Sequence, residues 1–177
     1  MSEPLLEEAR KFNKQALASI YEQYSQQIFR YAFHLLGESE LAEECASETF
    51  SRFLRALKDG RGPNDNLQAY LYRIAHNWVA DHYRRQPPPS ESLELVSVAD
   101  ASANPSQVVV QKLEHERVRN ALVYLNLEQQ KVIVLKFLEG WTYDEIASDI
   151  GKTVEATRVL QHRALAMLRR YLDEKEE

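Results

Sequence analysis

This 177-residue sequence predicts an all-α fold, two small helical domains joined by a proline-rich linker, on three observations. Five glycines stand against nine tyrosines, and long stretches are rich in Ala, Leu, Glu, Gln and Arg, which favours helix on intrinsic propensity. Apolar residues recur at three-and-four spacing, with no strand-like alternation. Between the two periodic regions, Pro87, Pro88 and Pro89 lead into a Ser-rich stretch ending at Asn104-Pro105. Consecutive prolines lack amide donors and hold a backbone extended. The expected division is a first domain over residues 1–86, a flexible linker over 87–106 and a second domain over 107–177.

In the first domain, Leu17, Ile20, Tyr21, Tyr24, Ile28, Tyr31, Ala32 and Leu35 trace the apolar side of a helix closed by Gly37. A second helix follows directly. Ser39 is its expected cap, glutamates fill its first turns where the helix dipole favours them, and Leu41, Cys45, Thr49, Phe53 and Leu57 form its stripe. Residues 58–66, KDGRGPNDN, read as a loop of turn formers. Leu67, Tyr70, Leu71, Ile74, Trp78 and Val79 then predict a third helix that ends in His82-Tyr83-Arg84-Arg85. In the second domain a helix is expected over 108–125 and a shorter one over 128–138, broken at Gly140-Trp141. Thr142-Tyr143-Asp144-Glu145 has the form of a capping box, in which Thr142 and Glu145 satisfy each other's backbone amides. A short helix therefore starts there, turns at Gly151-Lys152-Thr153 and passes into a long helix over 154–172.

Charge is divided along the chain. The net charge of -5 and pI near 5.6 exclude a protein that coats nucleic acid indiscriminately, since such binders neutralise phosphates over a basic surface. Residues 38–50 hold Glu38, Glu40, Glu43, Glu44 and Glu48 with no Lys or Arg. The last long helix holds Arg158, Arg163, Arg169 and Arg170 against Glu155. Two faces of opposite sign imply two different partners. The single cysteine, Cys45, can form neither an internal disulfide nor a Cys-rich zinc site, and fits a reducing compartment. The acidic first ten residues lack a signal region, and no apolar run is long enough to span a bilayer. The expected location is the cytoplasm, without membrane insertion.

A short capped helix, a glycine turn and a longer basic helix are the parts of a helix-turn-helix, whose second helix lies in the major groove. Thr157, Leu160, Ala164 and Leu168 share the face expected to pack on Ile146, Ala147 and Ile150. Glu155, Arg158, Val159 and His162 are then placed to meet base edges: Arg158 can bond guanine in paired fashion and Val159 can touch a thymine methyl. Thr142, Tyr143, Lys152 and Arg163 suit phosphates, which fix register without reading sequence.

The segments ALASIYEQYSQQIFRYAFHLLG, SELAEECASETFSRFLRAL, NLQAYLYRIAHNWVADHYRR and LNLEQQKVIVLKFLEGWTYDEIASDIGKTVEATRVLQHRALAMLRR follow one another along nearly the whole chain. In order and spacing they resemble regions 2.1, 2.2, 2.3 to 2.4, and 4 of extracytoplasmic-function (ECF) sigma factors of bacterial RNA polymerase, in the sigma-70 superfamily. The resemblance implies a sigma region 2 bundle at the front and a sigma region 4 helix-turn-helix at the back. It implies that the acidic helix docks on the clamp helices of the largest subunit of core RNA polymerase through Glu43, Glu44, Glu48 and Phe50. The charge pattern independently offers two readings for these glutamates, a basic partner or solvent.

The loop over 58–66 and the helix after it correspond to the part that recognises and opens the minus-10 promoter element. Extracted bases need aromatic or polar pockets and a cationic track for the backbone. Asn64, Asn66, Tyr72, Arg73, His76, Asn77, Arg84 and Arg85 are the candidates, while Tyr70, Ile74 and Trp78 are read as core. The helix-turn-helix would read the minus-35 element, and an anti-sigma factor is a further implied partner. The chain departs from the family pattern at Ser47, at Tyr70 and at Ala156-Thr157, the last affecting the register of the base-reading residues.

Two other functions compete. His76, Asp81 and His82 could suggest acid-base catalysis. No nucleophile accompanies them, however, and the two histidines are six residues apart with no HExxH-like pair, so no catalytic, metal or cofactor site is expected. A free-standing helix-turn-helix regulator is the second alternative. It would need a dimerisation or ligand-sensing surface where this chain has an acidic helix and an aromatic-basic segment.

Overall fold

The computed structural model describes residues 2–85, 114 and 116–173. It separates into two compact units, Met1–Glu91 and Ser92–Glu177. The expected linker over 87–106, the start of the helix expected over 108–125, and the acidic tail of Glu174, Glu176 and Glu177 lie outside the described residues. Among the described residues every regular element is helical, and no helix is long and apolar enough to cross a membrane.

The first unit holds α1 (Ser2–Arg10), α2 (Lys14–Leu36), α3 (Ser39–Lys58) and α4 (Leu67–Arg85). Helices α2, α3 and α4 pack on one another, and α1 packs on α2 and α3. Helix α1 was not expected; its sequence signal is the pair Leu6 and Ala9, one turn apart and both buried. Asn13 starts α2 by accepting from the Gln15 and Ala16 amides at 2.9 and 3.3 Å. The α2 stripe runs through Ala16, Ile20, Tyr24, Ile28, Tyr31 and Leu35, and Gly37 ends the helix with φ 76. Tyr21, expected on that stripe, is instead exposed. The expected Ser39 cap is also displaced. Glu38 takes the N-cap position without a side-chain bond, because the helix starts at Ser39 itself.

The centre of this unit is aromatic and polar together. Tyr31 and Tyr72 meet edge to face at 5.0 Å, and the Tyr31 hydroxyl is hydrogen-bonded to His76 Nδ1 at 2.6 Å. Cys45 lies beside them, fully buried, with its thiol on the Ala75 carbonyl at 3.7 Å. Burial pushes that thiol up to about 12, so almost no thiolate exists at neutral pH. A thiol-alkylating reagent should therefore leave the native protein unlabelled and modify one site after denaturation; labelling at the same rate in both states would contradict this packing.

In the second unit, α5 comprises the helical residues 116–122. Helix α6 (Leu127–Ile133) is opened by an Asn126–Gln129 capping box and continues as a π-helical turn over Val134–Leu138. Helices α7 (Tyr143–Ile150) and α8 (Val154–Asp173) follow. Val132, Val134, Leu135, Trp141, Ile146, Thr157 and Ala164 are buried and form the core. Leu160, Leu168 and Ile150, expected in the same seam, are only half-buried. Within the core, Lys131 Nζ meets Asp149 at 2.6 Å, with the side chains 8% and 0% exposed.

Candidate nucleic-acid and protein interfaces

Helix α3 turns its apolar stripe into the bundle and leaves Glu40, Glu43 and Glu44 exposed on the other side. Among the described residues, Glu43 and Glu44 make no ion pair. Glu48 differs. Arg52 Nε lies 2.8 Å from its carboxylate and Arg55 3.8 Å, and the Arg52 hydrogen bond holds its carboxyl below the usual carboxylate range. The glutamate row is thus not uniformly unpaired. Phe50, expected on the docking surface, is 7% exposed because its ring packs against Tyr21 at 5.0 Å; Tyr21, at 56%, presents the aromatic surface. Exposed Leu54 follows one turn after Phe50 on α3.

The loop and α4 distribute their polar groups in a way the stripe reading did not foresee. Tyr72 and His76, expected to meet DNA, are 1% and 6% exposed and belong to the core described above. Asn66 accepts from the Ala69 amide at 3.0 Å and so caps α4, which occupies its side-chain oxygen. Asn64, Arg73, Asn77, Arg84 and Arg85 are exposed, and Arg84 pairs with Asp81 at 2.9 Å. Conversely, Tyr70, Ile74 and Trp78 are only half-buried.

With Arg73, Asn77, Asp81 and Arg84, these three residues recur at helical spacing on one face that is part exposed, part half-buried, with the Tyr70 ring edge to face on buried Phe53 at 6.3 Å. Trp78 stacks on His82 with ring centroids 5.4 Å apart and planes 12° from parallel. Helix α4 therefore offers flat rings flanked by cations, the combination that unpaired nucleic-acid strands require. Two apolar stripes one residue apart compete on this helix. The one through Leu67, Leu71, Ala75 and Val79 became the core.

In the second unit the capping box forms as expected. The Thr142 amide donates to Glu145 Oε2 at 2.7 Å, its hydroxyl donates to the same oxygen at 2.8 Å, and the Glu145 amide donates back at 3.3 Å. That engages the one proton Thr142 could have given a phosphate. Gly151 ends α7 in the left-handed region, φ 67, and Thr153 caps α8 by accepting from the Ala156 amide at 3.1 Å. Glu155, Arg158, Val159, His162 and Arg163 all project outward from α8.

Tyr143 is not a free phosphate ligand either. Its hydroxyl donates to Gln161 Oε1, while Lys136 Nζ and the Arg158 guanidinium lie 4.4 and 5.0 Å from its ring centroid. The ring braces Arg158 by cation–π attraction. Lys136, within the π-helical turn, also donates to the Trp141 carbonyl at 3.1 Å. Gln161 carries no sequence signal for this role, because its contact with Tyr143 joins residues 18 positions apart, and Lys136 reaches the ring from the turn before α7. Lys152 keeps donors available beyond its 3.4 Å approach to Glu128. Among the described residues no group of His, Cys, Asp and Glu could hold a metal ion.

Comparison with known proteins agrees with both units. Residues 20–87 match the family model Sigma-70 region 2, and residues 115–168 match Sigma-70, region 4. The ECF RNA polymerase sigma factor SigD of Mycobacterium tuberculosis is 30% identical over 170 residues, covering 92% of this chain and 79% of that protein. The ECF RNA polymerase sigma factor BldN of Streptomyces coelicolor is 32% identical over 170 residues; the alignment covers 95% of this chain but only 64% of BldN. Among solved structures, CnrH in complex with the cytosolic domain of CnrY superposes with a TM-score of 0.71 at 24% identity, covering 97% of each chain. The sigma factor RpoE in complex with the anti-sigma factor NepR, from Bartonella quintana, gives 0.61 at 19% identity, over 88% of this chain and 96% of that one. At those identities the structures establish likeness of fold.

Proposed function

The chain belongs to the ECF sigma factors of the sigma-70 family, and from that premise we propose that it divides promoter recognition between two surfaces and polymerase docking to a third. In this reading residues 1–86 carry docking on α3 and minus-10 recognition on the 58–66 loop and α4. Residues 107–177 read the minus-35 duplex through α8. Segment 87–106 tethers the two, so that two modest affinities combine through a high effective concentration. The observation that carries the reading is the part-exposed face of α4, where Tyr70 and Trp78 alternate with Arg73, Asn77 and Arg84. A regulator that binds only duplex DNA has no use for such a face, and the family membership does not favour that alternative.

Core polymerase, reached through its clamp helices, supplies the chemistry; this chain supplies address and strand separation and acts in the cytoplasm. An anti-sigma factor covering these surfaces is the other expected partner, as NepR is for the solved RpoE. In vitro transcription with core polymerase and mapped start sites tests the whole scheme: no promoter-specific initiation would refute it.

Arg158 is the sharpest residue-level test on the DNA side. Losing a paired bond to guanine removes about 1–3 kcal/mol of discrimination, roughly 5- to 150-fold at one base pair. Arg158→Ala should thus flatten selectivity on templates substituted singly through the minus-35 element, while association with core polymerase stays unchanged. Retained selectivity at every position would remove Arg158 from base reading.

A further inference from the structure

Helix α1 precedes the residues that match sigma region 2, yet its last side chain reaches the loop assigned above to the minus-10 element. Arg10 Nη2 donates to the Pro63 carbonyl at 2.5 Å and to Asn64 Oδ1 at 3.3 Å, across more than fifty residues of sequence. One guanidinium nitrogen carries two protons, and both have an acceptor here. Pro63 is buried and anchors the loop beneath, whereas Asn64 is exposed at its tip.

We propose that Arg10 is a positioning residue for base selection: it holds the 58–66 loop and fixes which way the Asn64 amide faces. Donors and acceptors set the orientation. Arginine can only donate, so the amide oxygen of Asn64 must face Arg10 and its NH2 group must face away. Its neighbours are turned to the backbone: Asp65 accepts from the Asn66 amide at 2.7 Å, and Asn66 caps α4. Among the described residues nothing accepts from Asn64 Nδ2. The loop therefore presents a hydrogen-bond donor at its tip.

The consequence is a specific base chemistry. An asparagine pairs with adenine by accepting from N6 and donating to N7. With its oxygen turned toward Arg10 and its NH2 group outward, the Asn64 amide is oriented to donate, which favours a keto oxygen, O6 of guanine or O4 of thymine, over the paired mode with adenine. The captured base should be a keto base, with amino bases disfavoured roughly ten-fold. This inference rests on the reading of the loop as a minus-10 contact.

The test is initiation by the full chain with core polymerase on templates carrying each of the four bases at each minus-10 position. At the position that Asn64→Ala affects, the wild-type chain should prefer keto over amino bases. Arg10→Ala should reduce that ratio several-fold, Arg10→Lys should restore part of it, and minus-35 selectivity should not move. Asn64→Asp, which can only accept, should shift preference toward amino bases. If Asn64→Ala changes the preference and Arg10→Ala does not, the positioning role is overturned and the loop reading survives. Should neither variant change it, both are overturned. A wild-type preference for an amino base at that position overturns the amide orientation.

Discussion

Asp149→Ala is expected to lower the stability of the second unit by about 3–5 kcal/mol, because it strands a buried ammonium. Lys131 and Asp149 meet at 2.6 Å with side chains 8% and 0% exposed, so water cannot replace the lost carboxylate. The pair links α6 to α7, the first helix of the helix-turn-helix. A domain of this size shifts by about 4–8 °C per kcal/mol, so the midpoint should fall by at least about 12 °C. Tryptophan fluorescence can report it selectively. The chain has two tryptophans, and in a Trp78→Phe background the buried Trp141 reports the second unit alone.

The control is to remove both charges together. Replacing Lys131 with Met and Asp149 with Leu should recover most of the loss, since a packed apolar pair often equals or exceeds a buried ion pair. An Asp149→Ala midpoint within a few degrees of wild type would show that Lys131 reaches solvent.

Much of this architecture is legible because helix ends and stripes are local. The Thr142–Glu145 box, the Gly37 and Gly151 stops and the outward positions of Arg158 and Val159 depend on residues within a turn or two. The misread positions depended on longer range. Helix α4 carries two apolar stripes one residue apart, and periodicity cannot tell which one α2 and α3 will cover. Burial of Tyr72 and His76 is settled by Tyr31, more than forty residues away. Phe50 looked like a surface aromatic until Tyr21 packed on it from α2. The brace of Arg158 by Tyr143 and the hold of Arg10 on the loop are side-chain contacts across the fold, and composition gives no hint of either.

Reversing Glu43 and Glu44 to Lys should abolish tight association with core polymerase while leaving minus-35 recognition intact. Both residues are exposed and unpaired among the described residues, so their charge is available to a basic partner. They lie beyond the first turn of α3, where the dipole no longer favours acids strongly, so the helix loses little. Lys at position 44 would sit four residues after Glu40 and four before Glu48, spacings that support a helix by a few tenths of a kcal/mol. The fold should therefore survive the change. At the interface, however, like charges brought together cost several kcal/mol, which corresponds to affinity weakened by about 100-fold or more. Glu48→Gln should do far less, because Arg52 already neutralises that carboxylate. Titrating labelled protein against sigma-free polymerase at several salt concentrations measures this, with minus-35 duplex binding as the control. Undiminished association of the double reversal would move docking away from α3, and a matching loss of duplex binding would mean that the two surfaces are not separate.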